Sequence, residues 1–336
     1  FFFKQKTAYE IPKRDWSSDV CSSDLSKEVF DDTLLQNEVT SKLEGKISEA
    51  VSRILKDNLK SNKSLQIDQT TNKVENEIGD ARRPFDVILG LQEKAIPSGV
   101  SNSVGSCAGY LFWQTSLAFY FKSLDKIFDG NPVLKFVFNN KVSQVPPGFD
   151  DKILDYTVVR TQDVLENMKS GFLCSSLSSF NRRDHTYTTK ILTANNSSRP
   201  IAGKELPRLH SDYFEKPTVR LEAEVPFGAW TLGDSMEKRS EKSDQPAWSV
   251  QDVIQQSRHN YRQKFSIVAE ITIPCNLSLH AGDLIYCDFP ERARKTTMRR
   301  DPQSSGIYMI SDLCHYTNTT QAFTKLRLVR DSFGVR

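Results

Sequence analysis

The chain has 336 residues, with 45 Lys and Arg against 42 Asp and Glu and a formal net charge of +3. A balance so near neutral excludes a protein that works mainly by neutralising nucleic-acid phosphates, which needs a basic stripe. No apolar run approaches the roughly 18 residues of a helical membrane span.

Residues 1–25 (FFFKQKTAYEIPKRDWSSDVCSSDL) read as the translation of a sequencing-library adapter, with Ile11 to Arg14 filling the in-frame index. A secretion signal would need a continuous apolar centre and a small-residue cleavage site, and neither is present. No function is read from this segment, and the native sequence is expected to extend further upstream than residue 26. Deleting residues 1–25 is expected to leave the melting temperature unchanged within error. A loss of several degrees would show that they pack.

Val39, Leu43, Ile47, Val51, Ile54 and Leu55 recur at steps of three and four, which predicts a one-sided helix over 37–60. Residues 61–80 are polar and predict a loop with one short strand. Pro84 suits the first turn of a second helix, with Phe85, Ile88, Leu89, Gln92 and Ile96 on its face and Pro97 stopping it. The period then changes. Gly109 to Gln114 and Ala118 to Lys122 predict an aromatic-rich β-hairpin turning at Ser116 and Leu117. Leu134 to Phe138 is the next strand.

A helical stretch holds Val164, Leu165 and Met168. It is followed by strands at Phe172 to Ser179 and His185 to Thr193. Residues 195–249 are poor in apolar side chains and read as an excursion, since so long a structureless loop is uncommon inside a compact domain. Ser249 is placed to cap a helix carrying Val250, Val253 and Ile254. Lys264 to Ile273 alternates as a strand. Leu279 to Asp283 is a tight turn into Leu284 to Phe289. The charged run Glu291 to Arg300 precedes a last hairpin, Gly306 to Tyr316 and Phe323 to Asp331. Long strands joined by polar turns predict a closed or nearly closed barrel that protects its edges.

No motif in the sequence marks a catalytic, phosphate or metal site. Cys21 belongs to the adapter, and Cys107, Cys174, Cys275, Cys287 and Cys314 are scattered like reduced packing residues of a protein made in a cytosol. The histidines are His185, His210, His259, His280 and His315, none of them in a nucleophile or HExxH context. Cys275, His280, Cys287, Cys314 and His315 are the one grouping that resembles a zinc set. They lack close-spaced pairs, and Cys314 and His315 point to opposite faces of a strand. Arg292, Arg294, Lys295, Arg299 and Arg300 read as a solvated loop diluted by Glu291 and Asp301 rather than a phosphate site. No catalytic, cofactor-binding or metal-ligating residue is assigned, no cofactor is expected, and the chain is read as not an enzyme.

Four stretches together carry a resemblance: RRPFDVILGLQEKAIP (82–97), GYLFWQTSLAFYFKSLDKI (109–127), the strand–turn pattern of 172–193, and LHAGDLIYCDFP with SGIYMISDLCHYTNTTQAFTKLRLVRDSFG (279–334). They resemble the baseplate hub subunit of T-even-like contractile-tailed phages, in the marine and cyanophage branch. The resemblance implies an α+β, β-rich fold: a tail-tube-like antiparallel β-barrel with an inserted subdomain and a smaller helix-plus-hairpin domain. It implies domains at 26–128 (helix plus hairpin), at 129–195 with 263–335 (barrel), and at 196–262 (insertion). It further implies a homotrimeric ring that joins the tail tube to the central spike and leaves a channel for DNA. The implied partners are the spike or tail lysozyme protein, tube or tube-initiator proteins and baseplate wedge proteins. DNA is only transiting cargo. The implied location is the virion, with assembly in the host cytoplasm. Two other functions stay open on the residues: a phage-encoded hydrolase using the aromatic hairpin at 109–121 as a substrate platform, and a β-barrel nucleic-acid-binding module stacking bases on the same rings.

Overall fold

A computed structural model describes residues 26–74, 81–98, 108–138, 152–160, 164–169, 174–181, 186–193, 201–205, 216–224, 250–290, 301–317 and 322–335. Helix α1 spans Lys27–Thr33. Helix α2 runs Ile47–Arg53 and continues as a π-helical turn, Ile54–Asn58. The helix expected over 37–60 therefore starts ten residues late. Gly45 sits at φ +87, a left-handed conformation that ends regular structure before it. The Val39 amide donates instead to the Arg82 carbonyl at 2.9 Å. The apolar stripe is still used. Val39, Leu43, Ile47, Val51, Ile54 and Leu55 all lie in one buried core.

Helix α3, Pro84–Lys94, opens on proline as expected. Its first turn is capped from another helix, for Asp32 accepts the Phe85 amide at 2.8 Å. Burial, opposed by that hydrogen bond, pushes the Asp32 carboxyl above its usual range. The buried face includes Val87 and Leu91, while Leu89 is only half-buried. Strand β1, Ser64–Ile67, pairs in parallel with β3, Ala118–Ser123, which pairs antiparallel with β2, Tyr110–Gln114.

The rest of the β structure forms two sheets. A seven-stranded sheet has β4 (Leu134–Phe138), β5 (Lys152–Ile153), β6 (Asp155–Arg160), β10 (Ile267–Pro274), β11 (Leu284–Asp288), β12 (Gly306–Thr317) and β13 (Ala322–Arg330) in the order β5-β4-β11-β12-β13-β10-β6. Its two outer strands are consecutive in the chain. Ile153 pairs with Phe138 at one edge and Asp155 with Thr272 at the other, while the Leu154 amide between them donates to the Thr272 carbonyl at 2.7 Å. One short segment thus draws the two edges together into a nearly closed barrel. The expected antiparallel barrel is present, with β4 as an exception that runs parallel to both β11 and β5. The sequence reading also missed β5 and β6.

The second sheet has the order β8-β7-β9, with β7 at Cys174–Asn181, β8 at Thr186–Thr193 and β9 at Val219–Glu224. Strands β7 and β8 were expected in the barrel. They pair instead with β9, from the segment read as the insertion. The short helix α4, Val164–Lys169, precedes them. Helix α5, Val250–Lys264, is longer than expected and takes Lys264 away from the following strand. The expected cap, Ser249, lies outside the described residues. Among the described residues no helix is long and apolar enough to cross a membrane.

The barrel interior is filled. Phe136, Ile153, Ile271, Ile285, Tyr308 and Leu328 are among the side chains packed there. Alternation along β12 places Tyr308 and Ile310 inside and Ile307 and Met309 outside. That phase does not continue to Asp312. A bulge between Ile310 and Asp312 inserts Ser311, so Leu313 rather than Asp312 joins the core. Ile310 is fully buried. Ile310→Asp is expected to cost at least about 3 kcal/mol, since it puts a carboxylate among the apolar side chains of the barrel interior. Urea unfolding measures it, and a harmless substitution would place Ile310 outside the core.

Candidate functional site: the joint between hairpin and barrel

The β2–β3 hairpin is two-sided. Tyr110, Phe112, Phe119 and Phe121 face the helices, with Phe112 and Phe119 stacked at 5.9 Å. Leu111, Trp113 and Tyr120 face the barrel, where they meet Val268, Ala281, Leu284, Met309 and Val329. This accounts for the apolar residues on both faces of β12. The outer face is covered by the same chain's hairpin. Rings so placed fill two cores and leave no platform. That corrects the expectation of an exposed aromatic platform at 109–121, for a substrate or for bases.

Trp113 is the centre of the joint. Its Nε1 donates to the Ala281 carbonyl at 2.9 Å, and its ring stacks on Tyr120 at 4.9 Å. The open edge of β2 is closed by side chains. The Phe112 amide donates to Gln92 Oε1 at 3.2 Å, Asn260 Nδ2 donates to the Ala108 carbonyl at 2.6 Å, and the Tyr261 hydroxyl donates to the Tyr110 carbonyl. Helices α3 and α5 thereby satisfy backbone groups that a free edge would offer to another strand. Burial pushes the Tyr110 and Tyr261 hydroxyls up, so both stay protonated donors.

Beside this apolar joint lies a buried polar one. Lys264 Nζ sits 2.9 Å from Asp331 Oδ2, with side chains 2% and 1% exposed. Asp331 Oδ1 accepts from the Ala202 amide at 2.9 Å and from the Ser332 hydroxyl at 2.7 Å. Ser332 Oγ in turn accepts the Gly203 amide at 2.6 Å. Arg330, fully buried, donates to the carbonyls of Ser304, Ser305 and Gly334 and lies over the Tyr308 ring. The Lys204 and Phe333 amides complete a short two-stranded contact with Phe333 and Glu205. None of these charged residues stands out in the sequence as buried. The only signal was that RDS follows a strand whose alternation would point Arg330 inward with Leu326 and Leu328.

Of the residues weighed as a zinc set, His280 and His315 are neighbours. Cys287 lies inside the barrel, and burial pushes its thiol up. Cys314 sits half-buried on the opposite face of β12 from His315. Among the described residues no three His, Cys, Asp or Glu side chains form a metal-holding group. His185, His210 and the basic run 292–300 lie outside the described residues. A surface depression lined by Lys27, Glu28, Asp31, Lys60 and Lys63 mixes both signs of charge. Glu28 at its floor accepts from Ser61 Oγ and Gln114 Nε2 and pairs with Lys63. Burial works against its charge, yet the hydrogen bonds and Lys63 outweigh it and hold the carboxyl below its usual range.

His315 carries a pH dependence. Burial, then the neighbouring His280, lowers its pKa. Its Nδ1 lies 2.8 Å from Thr324 Oγ1, which accepts the Asn276 amide at 3.2 Å. The folded state therefore binds the proton less well than the unfolded state. Stability is full above the ordinary histidine pKa of about 6.5 and falls as pH drops through and below it. Urea midpoints are expected to fall between pH 7.5 and pH 5, and to fall less in His315→Asn. An equal fall in both proteins would remove His315 as a cause.

No protein-family model matches the chain, and no curated protein matches it in sequence. Solved structures of similar shape include the tail protein from Neisseria meningitidis MC58, 9% identical with a TM-score of 0.46, over 88% of this chain and 71% of that one. Another is the 43 kDa tail protein of prophage MuSo2 from Shewanella oneidensis, 7% identical with a TM-score of 0.42, over 85% of this chain. The chain spans 64% of the length of that second protein.

Proposed function

We propose that the chain is a structural subunit of a contractile phage tail: the central baseplate hub, a trimeric ring that joins the tail tube to the spike. The observation that carries this reading is the filled, nearly closed barrel fastened on one outer side to its own helix-and-hairpin domain. Among the described residues, apolar side chains fill the barrel interior, so a channel would lie between copies. Its buried charges and edge-capping side chains hold segments together, which suits a part that transmits load. The outer faces of β12, β13, β10 and β6 carry Asp312, Arg327, Glu270 and Thr157 in one cross-strand row. Arg327, Glu270 and Thr157 in that row are exposed. An alternating row of this kind suits packing against other protein surfaces, with the spike, tube and wedge proteins as partners. The near-neutral charge of +3 suits DNA that passes without being retained.

Fractionation of phage lysates tests the reading. The protein is expected to sediment with tails and baseplates. Its recovery only as a free protein with hydrolytic turnover would favour the enzyme reading instead.

A further inference from the structure

We propose that Lys264 and Asp331 condense into an intramolecular isopeptide bond that staples the end of α5 to the end of β13. Nothing in the hub reading requires it. Four observations bring the reaction together at one place. First, the amine and the carboxylate are in contact, with Nζ 2.9 Å from Oδ2. Second, both side chains are almost wholly shielded, at 2% and 1% exposure. Condensation of an amine with a carboxylate runs uphill in water, and a dry site removes the water that would reverse it. Third, the other oxygen is held by two donors, the Ala202 amide at 2.9 Å and the Ser332 hydroxyl at 2.7 Å. Such a pair stabilises charge developing on Oδ1 in a tetrahedral intermediate. Fourth, the Phe128 ring lies 5.2 Å from Nζ and limits its freedom to swing away from the carboxyl.

The step balances within the pair. A proton passes from Nζ to Oδ2, and the freed amine attacks Cγ while Oδ1 takes up the negative charge. The intermediate collapses, the Cγ–Oδ2 bond breaks, and Oδ2 leaves as water. Of the three ammonium protons, two depart with that water and one stays on the amide nitrogen. No oxidant, reductant or metal enters. The product is a neutral amide in place of a buried ion pair, closing a covalent loop over α5's end, β10 to β13 and the barrel core between them. Loss of that loop's freedom in the unfolded chain is the same device by which a disulfide stabilises a fold, here without cysteine.

Mass spectrometry of the full, denatured chain is the test. The expected mass is lower than the sequence sum by one water, about 18 Da. Asp129–Gly130 can also lose water as a succinimide, so a tryptic map must accompany the mass. The map is expected to hold a branched peptide joining the segments of Lys264 and Asp331, with no cleavage after Lys264. Lys264→Arg should abolish the branch. Asp331→Asn should keep it, releasing ammonia instead of water. A linear peptide ending at Lys264 in full yield from the unmutated protein overturns the proposal, and that result does not depend on whether any variant folds.

Discussion

Arg330→Met is expected to cost about 3 kcal/mol or more in unfolding free energy. The side chain is fully buried, and its guanidinium spans three carbonyls: Nη1 reaches Ser304 and Ser305 at 3.2 Å each, and Nη2 reaches Gly334 at 2.5 Å. Methionine fills similar space but donates to none of them. Each buried acceptor left unpaired costs about 1–3 kcal/mol. The face of Tyr308, 4.9 Å from the guanidinium carbon, also loses its cation. Arg330→Lys is expected to rescue little, because a single ammonium cannot reproduce a planar fork that serves opposite carbonyls. Equilibrium denaturation of both variants measures this. A loss under about 1 kcal/mol for Arg330→Met would show that the fork is not what holds the chain end.

Trp113→Ala is expected to cost about 3–5 kcal/mol, the range for emptying a large aromatic site. The indole is 3% exposed and fills the joint between hairpin and barrel. It is also coupled to one glycine. Gly282 lies at φ +93, and a Cβ there would sit 2.5 Å from Trp113 Cζ2. Gly282→Ala alone is expected to destabilise both through its backbone and through that overlap. Emptying the indole site removes the overlap. The double variant Trp113→Ala with Gly282→Ala is therefore expected to cost less than the sum of the two by more than about 0.5 kcal/mol. Strict additivity would show that the LHAGD turn is not shaped around the indole.

The sequence displayed its apolar periodicities and hid its exceptions to them. The hairpin at 110–123 was legible from its two aromatic-rich arms, and the last hairpin at 306–330 from two long strands on either side of a polar turn. The residues of the stripe from Val39 to Leu55 were legible as core, but not the break at Gly45, since a single glycine within a helical pattern is ambiguous. Strands β5 and β6 were missed because Asp150, Asp151, Lys152 and Asp155 dilute a short run whose inward residues are only Ile153, Tyr156 and Val158. The bulge at Ser311 leaves no mark that composition can read. The polar joint was illegible for a deeper reason. Lys264, Arg330 and Asp331 look like solvated residues until residues 202–205, far away in sequence, are folded against them. Nor does the sequence show which core Trp113 serves, since that depends on a contact with Ala281, 168 positions away.

Multi-angle light scattering on the protein released intact from purified tails tests the hub assignment most directly. The account predicts a trimer that persists at micromolar concentration. A stable monomer under the same conditions would contradict the ring.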